Sequence, residues 1–133
     1  MTVIIESQYL PPSVNAAYRN ATKSDHVKGR IKTKEYMTWF RAFGYDVNKS
    51  MRGQQKVSGP YTIRITLCQS TRHKLSDVMN REKAVSDALQ ELGVISNDNL
   101  CESGTVCWGH ANGGIRIEIE PIDALDELLS RIV

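Results

Sequence analysis

The sequence predicts a single small α+β domain: a mixed β-sheet of about four strands with two to three helices packed on it. Three observations lead there. The 133 residues are one domain's worth of chain, long enough to bury a core without staples. Strand-like and helix-like apolar periodicities alternate along it. No internal repeat, low-complexity tract or long linker divides residues 1–133.

Residues 2–7 are rich in β-branched side chains and read as a first strand, which Pro11-Pro12 ends because proline lacks an N–H and fixes φ. From Arg19 to Lys34 six basic residues stand against the single acid Asp25, with Gly29 inside, as expected of an exposed basic loop or ribbon. Between Thr33 and about Met51, Tyr36, Met37, Phe40, Phe43, Tyr45 and Val47 recur at roughly helical spacing. Thr33 and Glu35 make a plausible start for that helix, and Gly53 with Gln54-Gln55 closes it. Gly59-Pro60 opens a strand from Tyr61 to Cys68, where Ile63, Ile65 and Leu67 alternate with Thr62, Arg64 and Thr66. A second helix carries Val78, Val85, Ala88, Leu89 and Leu92 on one stripe, capped by Ser76 or Asp77 and stopped by Gly93. Residues 94–99 form a turn. Strands near 101–108 and 114–120 follow, joined through Ala111-Asn112-Gly113, and Pro121 ends the last. In the tail, Leu125, Leu128, Leu129 and Ile132 fall at helical spacing, giving a short helix for the sheet or a partner subunit.

The composition, 41% hydrophobic and 24% charged, is that of a packed soluble protein. The first apolar run is too short to span a bilayer and lacks a basic region before it, so no membrane role and no export signal are expected. Cys68, Cys101 and Cys107 are an odd set without a CxxC pair, which fits a reducing cytoplasm. Cys101 and Cys107 can share a strand face, and His73 and His110 would raise zinc. Thiols packed in a sheet are the simpler reading, because paired short spacings are missing. The net charge of +2 hides an asymmetry: residues 1–74 hold 13 Lys/Arg and 4 Asp/Glu, residues 75–133 hold 4 and 11, or +9 against −7. A basic surface that collects a polyanion beside an acidic region that holds cations is one reading, and a dipolar soluble protein is the other.

Chemistry concentrates around the second helix. Asp77, Lys83, Asp87 and Asp98 place acids at both ends of it with a lysine on its first turns. Carboxylates hold hard divalent cations, such cations activate water and neutralise a leaving oxygen, and an ammonium stabilises phosphorane charge, so the pattern suits phosphodiester cleavage. Asp77 and Asp98 meet only if the chain folds back across the sheet. Taken singly, Asp77 is also an N-cap, Asp87 and Glu91 a solvated helix face, and Asn97-Asp98-Asn99 an ordinary turn.

The run Asp77-x-x-Asn80-x-x-Lys83-x-x-x-Asp87-Ala88-Leu89, then Gly93 and Asp98, resembles the signature of the RusA family of Holliday junction resolvases: Asp-x-Asp-Asn-x-x-Lys, Asp-Ala-Leu, glycine and a further aspartate. Near the N-terminus, Pro11-Pro12-Ser13-Val14-Asn15-Ala16-Ala17-Tyr18-Arg19 matches the family's Pro-Pro-Ser-x-Asn-x-x-Tyr-Arg. The blocks stand in the family's order, and the resemblance covers roughly residues 3 to 120. It implies a homodimeric, cytoplasmic and nucleoid-associated endonuclease that binds four-way DNA junctions and cuts two strands symmetrically, in recombination, repair or phage DNA processing. Mg²⁺ is the implied cofactor, with Mn²⁺ a substitute and no small-molecule cofactor. On the matching positions Asp77 and Asp98 are metal ligands, and Asp77, Lys83 and Asp98 are the catalytic set. The departure is Met79, which stands where the family has its second aspartate; a thioether is a poor ligand for Mg²⁺, so cation affinity falls. Asn80 and Asn97 can offer carbonyl oxygens but not charge, and Asp87 would lie about 15 Å along an ideal helix from Asp77. The alternative is a catalytically impaired or inactive protein of the same fold that binds DNA junctions or regulates. DNA contact is expected from Arg19, Lys23, Lys28, Arg30, Lys32 and Lys34, with Arg72, Lys74 and Asn80 beside the acidic site.

Overall fold

In the computed structural model, residues 1–72 and 78–122 are described. They form, in order, β1 (Val3–Ser7), α1 (Val14–Ala17), β2 (Tyr18–Asn20), β3 (Arg30–Lys32), α2 (Lys34–Ser50), β4 (Tyr61–Cys68), α3 (Glu82–Glu91), β5 (Cys101–Gly109) and β6 (Ile115–Pro121). The main sheet has four strands in the order β1-β6-β4-β5, and β2 and β3 make a separate two-stranded ribbon. This is the small α+β domain expected.

The alternation in β4 does what its spacing predicts. Ile63 pairs with Ile119, Ile65 with Ile117 and Leu67 with Ile115. On the far side of β6, Val3 faces Ile119 and Ile5 faces Ile117, so buried aliphatic rows run across three strands. Each such side chain contributes about 1.5–3 kcal/mol by leaving water. The other face is polar, and there Arg116 pairs with Glu6 at 2.5 Å and Glu118 at 3.2 Å.

α2 covers the apolar face. The Thr33 hydroxyl caps it by accepting the Tyr36 N–H at 3.2 Å, and Tyr36, Trp39, Phe43 and Val47 are buried. Tyr45 does not belong to that stripe and is 69% exposed. Two residues from Phe43 and Val47, it falls on the opposite side of the helix. Trp39, absent from the predicted stripe, stacks on Phe43 at 4.6 Å and donates its indole N–H to the Tyr9 carbonyl.

The second helix starts later than its apolar stripe suggests. A single 3-10 turn, Met79–Arg81, precedes α3, so Val78 lies outside the α-helix, while the predicted caps Ser76 and Asp77 lie outside the described residues. Ala84, Val85, Ala88 and Leu89 are buried as expected. After Gly93 (φ 77°) the chain returns along Val57, with Val57 N–H donating to the Val94 carbonyl and Ser96 N–H to the Val57 carbonyl. The segment carrying Asp98 is thereby fixed against the body of the domain.

The link through Ala111-Asn112-Gly113 does not close a hairpin. β5 lies parallel to β4 and β6 antiparallel to it on the other side, so the link crosses the end of β4. There Cys68 donates its N–H to the Gly114 carbonyl at 2.8 Å. A Cβ on Gly114 would stand 2.0 Å from the Ser7 carbonyl oxygen, so only glycine passes. Cys101 and Cys107 are half-buried in β5, as thiols in a sheet. Among the described residues no helix is long and apolar enough to cross a membrane. The predicted tail helix, with His73 and Lys74, lies outside the described residues.

Candidate active site on the first turns of α3

The two motif blocks, distant in sequence, meet at α3. Pro11 and Pro12 are buried, and the Pro11 carbonyl accepts a hydrogen bond from the Arg81 guanidinium at 3.1 Å. The Ser13 hydroxyl then caps α1 by accepting the Ala16 N–H at 3.3 Å. That short helix, not foreseen from the sequence, turns the chain so that Tyr18 points at α3. The Tyr18 hydroxyl donates to Asp87 Oδ2 at 2.5 Å. Burial first, then Asp87, raises the pKa of this phenol above its ordinary value.

The other oxygen of Asp87, Oδ1, accepts from Lys83 Nζ at 2.9 Å, across one helical turn. The same ammonium lies 4.0 Å from Asp98 Oδ2. The Asp87 hydrogen bond is the main cause of a raised Lys83 pKa, which keeps the ammonium charged. Asp98 opens a 3-10 turn capped by Asn97, and its N–H donates to Gln90 Oε1 at 2.9 Å, tying the turn to α3. The Lys83 and Asp98 side chains are 52% and 40% exposed, whereas Asp87 is 19% exposed. The ammonium and the Asp98 carboxylate therefore reach solvent together, with Asp87 behind them.

Of the predicted catalytic set, Lys83 and Asp98 are brought together and Asp77 lies outside the described residues. Among the described residues no group of three or more His, Cys, Asp or Glu side chains is arranged around a possible metal. Asp98, a part-exposed carboxylate, has the hard oxygen donors that a divalent cation such as Mg²⁺ takes. Met79 is 69% exposed on the 3-10 turn before α3, and Asn80 beside it is half-buried.

The basic ribbon is present, but its cations are not equivalent. Arg19 makes a two-pronged pair with Asp25, both distances 2.9 Å, and this pair holds the Asp25 carboxyl well below the usual range. Arg19 is a strut inside the ribbon. Lys32 reaches Glu91 at 3.0 Å, and Arg30 lies over the Tyr18 ring at 5.9 Å. Lys23, Lys28 and Lys34 are exposed without an acidic partner among the described residues. Arg72, also exposed, lies over the Trp108 ring at 5.9 Å. The bonds to Asp87 and Glu91 escape a reading of the sequence, although the Lys83–Asp87 spacing of four residues is a legible signal.

No curated protein matches the chain. Residues 9–120 match the family model described as Endodeoxyribonuclease RusA. That span holds both motif blocks, the ribbon and the Lys83–Asp98 cluster, and the chain belongs to the RusA endodeoxyribonuclease family.

Proposed function

We propose that the protein is a Mg²⁺-dependent resolvase that works as a homodimer, its 133 residues forming one domain, and cuts four-way DNA junctions by paired symmetric nicks. Membership of the family implies a metal-dependent endonuclease that resolves junctions, with branched DNA as substrate. The observation that carries the finer reading is the Lys83 ammonium, held at 2.9 Å by Asp87 and facing Asp98 at 4.0 Å on an accessible surface.

Asp98 and Asp77 would hold the cation. When bound, Mg²⁺ supplies an activated water and charge neutralisation at the leaving oxygen. Lys83 places a positive charge where the phosphorane develops negative charge. The exposed cations of the ribbon, with Arg72, Lys74 and Asn80, bind the backbone and orient the arms of the junction by shape. A two-fold dimer offers two equivalent sites to a junction of matching symmetry, which accounts for paired cuts. Such an enzyme would act in the cytoplasm on nucleoid or phage DNA, in recombination or repair.

A labelled four-way junction with Mg²⁺ or Mn²⁺ tests this: symmetric products, absent from linear duplex, are expected, with a dimer mass in solution. Met79 favours a second reading, a junction-binding protein without cleavage, because an exposed thioether stands where the family carries a carboxylate. Salt-sensitive junction binding without products at any divalent concentration would select it.

A further inference from the structure

We infer that Asp87, with Tyr18 behind it, is a positioning residue that aims the Lys83 ammonium toward Asp98 and the substrate phosphate. The inference rests on the nuclease reading for the role of Lys83, and on geometry alone for the placement.

A lysine side chain has a flexible four-carbon stem, and holding its end in one place is entropically costly. Asp87 Oδ1 fixes Nζ at 2.9 Å. The carboxylate is itself fixed, because Oδ2 accepts from the Tyr18 hydroxyl. Tyr18 is 8% exposed and packed against the Tyr36 ring at 5.8 Å, so the phenol has one orientation. The series runs from a buried aromatic to a half-buried carboxylate to an exposed ammonium, and only its last member faces solvent. Asp87 therefore acts from behind the lysine.

Tyr18 also pairs with Lys32 across the ribbon. The two bond to Asp87 and Glu91, four residues apart on α3. One rung of the ribbon is pinned across one turn of the helix that bears Lys83.

The test uses the full chain with Asp87→Asn, Tyr18→Phe, Lys83→Ala and the Asp87→Asn/Lys83→Ala double variant. Asp87→Asn, isosteric and still a partner for Tyr18, should lower the single-turnover junction-cleavage rate on the order of 10- to 100-fold with junction affinity unchanged. Tyr18→Phe should lose less, in the same direction. In the Lys83→Ala background Asp87→Asn should add nothing. Wild-type rates in Asp87→Asn, or an undiminished loss in the Lys83→Ala background, would overturn the inference. NMR relaxation of the Lys83 Cε group reads the placement without catalysis: its order should fall in Asp87→Asn, and unchanged order overturns the inference. A wild-type protein that cleaves no junction would instead remove the nuclease reading, with the relaxation measurement still deciding what Asp87 does.

Discussion

The Tyr18 hydroxyl and the Asp87 carboxylate, 69 residues apart in sequence, are 2.5 Å apart in the fold. This bond makes one unit of the proline-rich block and the helical block, and it stands directly behind the Lys83 ammonium.

Met79→Asp should increase Mg²⁺-dependent junction cleavage and lower the Mg²⁺ concentration at half-maximal rate. Met79 is 69% exposed, so a carboxylate there meets no burial penalty, and it returns a hard ligand at the family's acidic position. A Mg²⁺ titration of the cleavage rate checks this. No gain in a folded variant would mean that the position is not a ligand site.

Neutralising Lys23 and Lys28 together by glutamine should weaken junction binding and reduce the slope of log K against log salt by about 0.9 for each phosphate that the variant leaves unneutralised. Both are exposed and unpaired with acids among the described residues. Arg19→Gln should behave differently, loosening the ribbon through Asp25 while leaving the charges of Lys23 and Lys28 in place. Binding isotherms at several salt concentrations separate the two; equal slopes in all variants would clear the ribbon of a phosphate role.

Cys68 should be alkylated ahead of Cys101 near neutral pH. The Ser70 hydroxyl at 3.1 Å, assisted by backbone N–H groups including that of Gly113, brings the Cys68 thiol down to about 7, whereas burial pushes Cys101 up. The rate of iodoacetamide labelling should rise with pH through a midpoint close to that value, and Ser70→Ala should move the midpoint upward. A wild-type midpoint at about 8.5, the ordinary thiol value, would refute this.

Tyr36→Phe should leave stability unchanged or raise it by up to about 1 kcal/mol. The ring is fully buried, and its hydroxyl has no hydrogen-bond partner among the described residues, so its removal relieves a desolvated polar group without opening a large cavity. Urea denaturation measures it. A loss above about 1 kcal/mol would show that the hydroxyl is satisfied in solution.

Much of the architecture is local and legible in the sequence. The run Tyr61–Cys68 alternates, and alternation on a half-buried strand has one solution. Thr33 as a cap and the stop at Gly93 follow from backbone groups that a helix end must satisfy. Where the fold departs from its sequence pattern, the cause is geometry that a string of residue types does not carry. Tyr45 stands among apolar neighbours in sequence, yet the angle between them turns it outward. The α1 helix is only four residues long, too short for a periodic signal. The link through Ala111-Asn112-Gly113 joins strands that are consecutive in the chain, yet β4 lies between them in the sheet.

The same division holds for the site. Residue types and spacing supplied an acid and a lysine around an amphipathic helix and a basic ribbon, because charge and helical period are properties of side chains and of short stretches of backbone; the resemblance to the family signature marked Met79 as standing in a carboxylate's place. Only the tertiary structure decided which charges are already engaged: Arg19 is occupied by Asp25 and Lys32 by Glu91, while Lys83 is held between Asp87 and Asp98. Except for the short-range Arg19–Asp25 and Lys83–Asp87 pairs, these partners lie 15 and 59 residues apart along the chain. Coulombic and hydrogen-bond energies depend on distances that the packing of β2 and β3 against α3 sets.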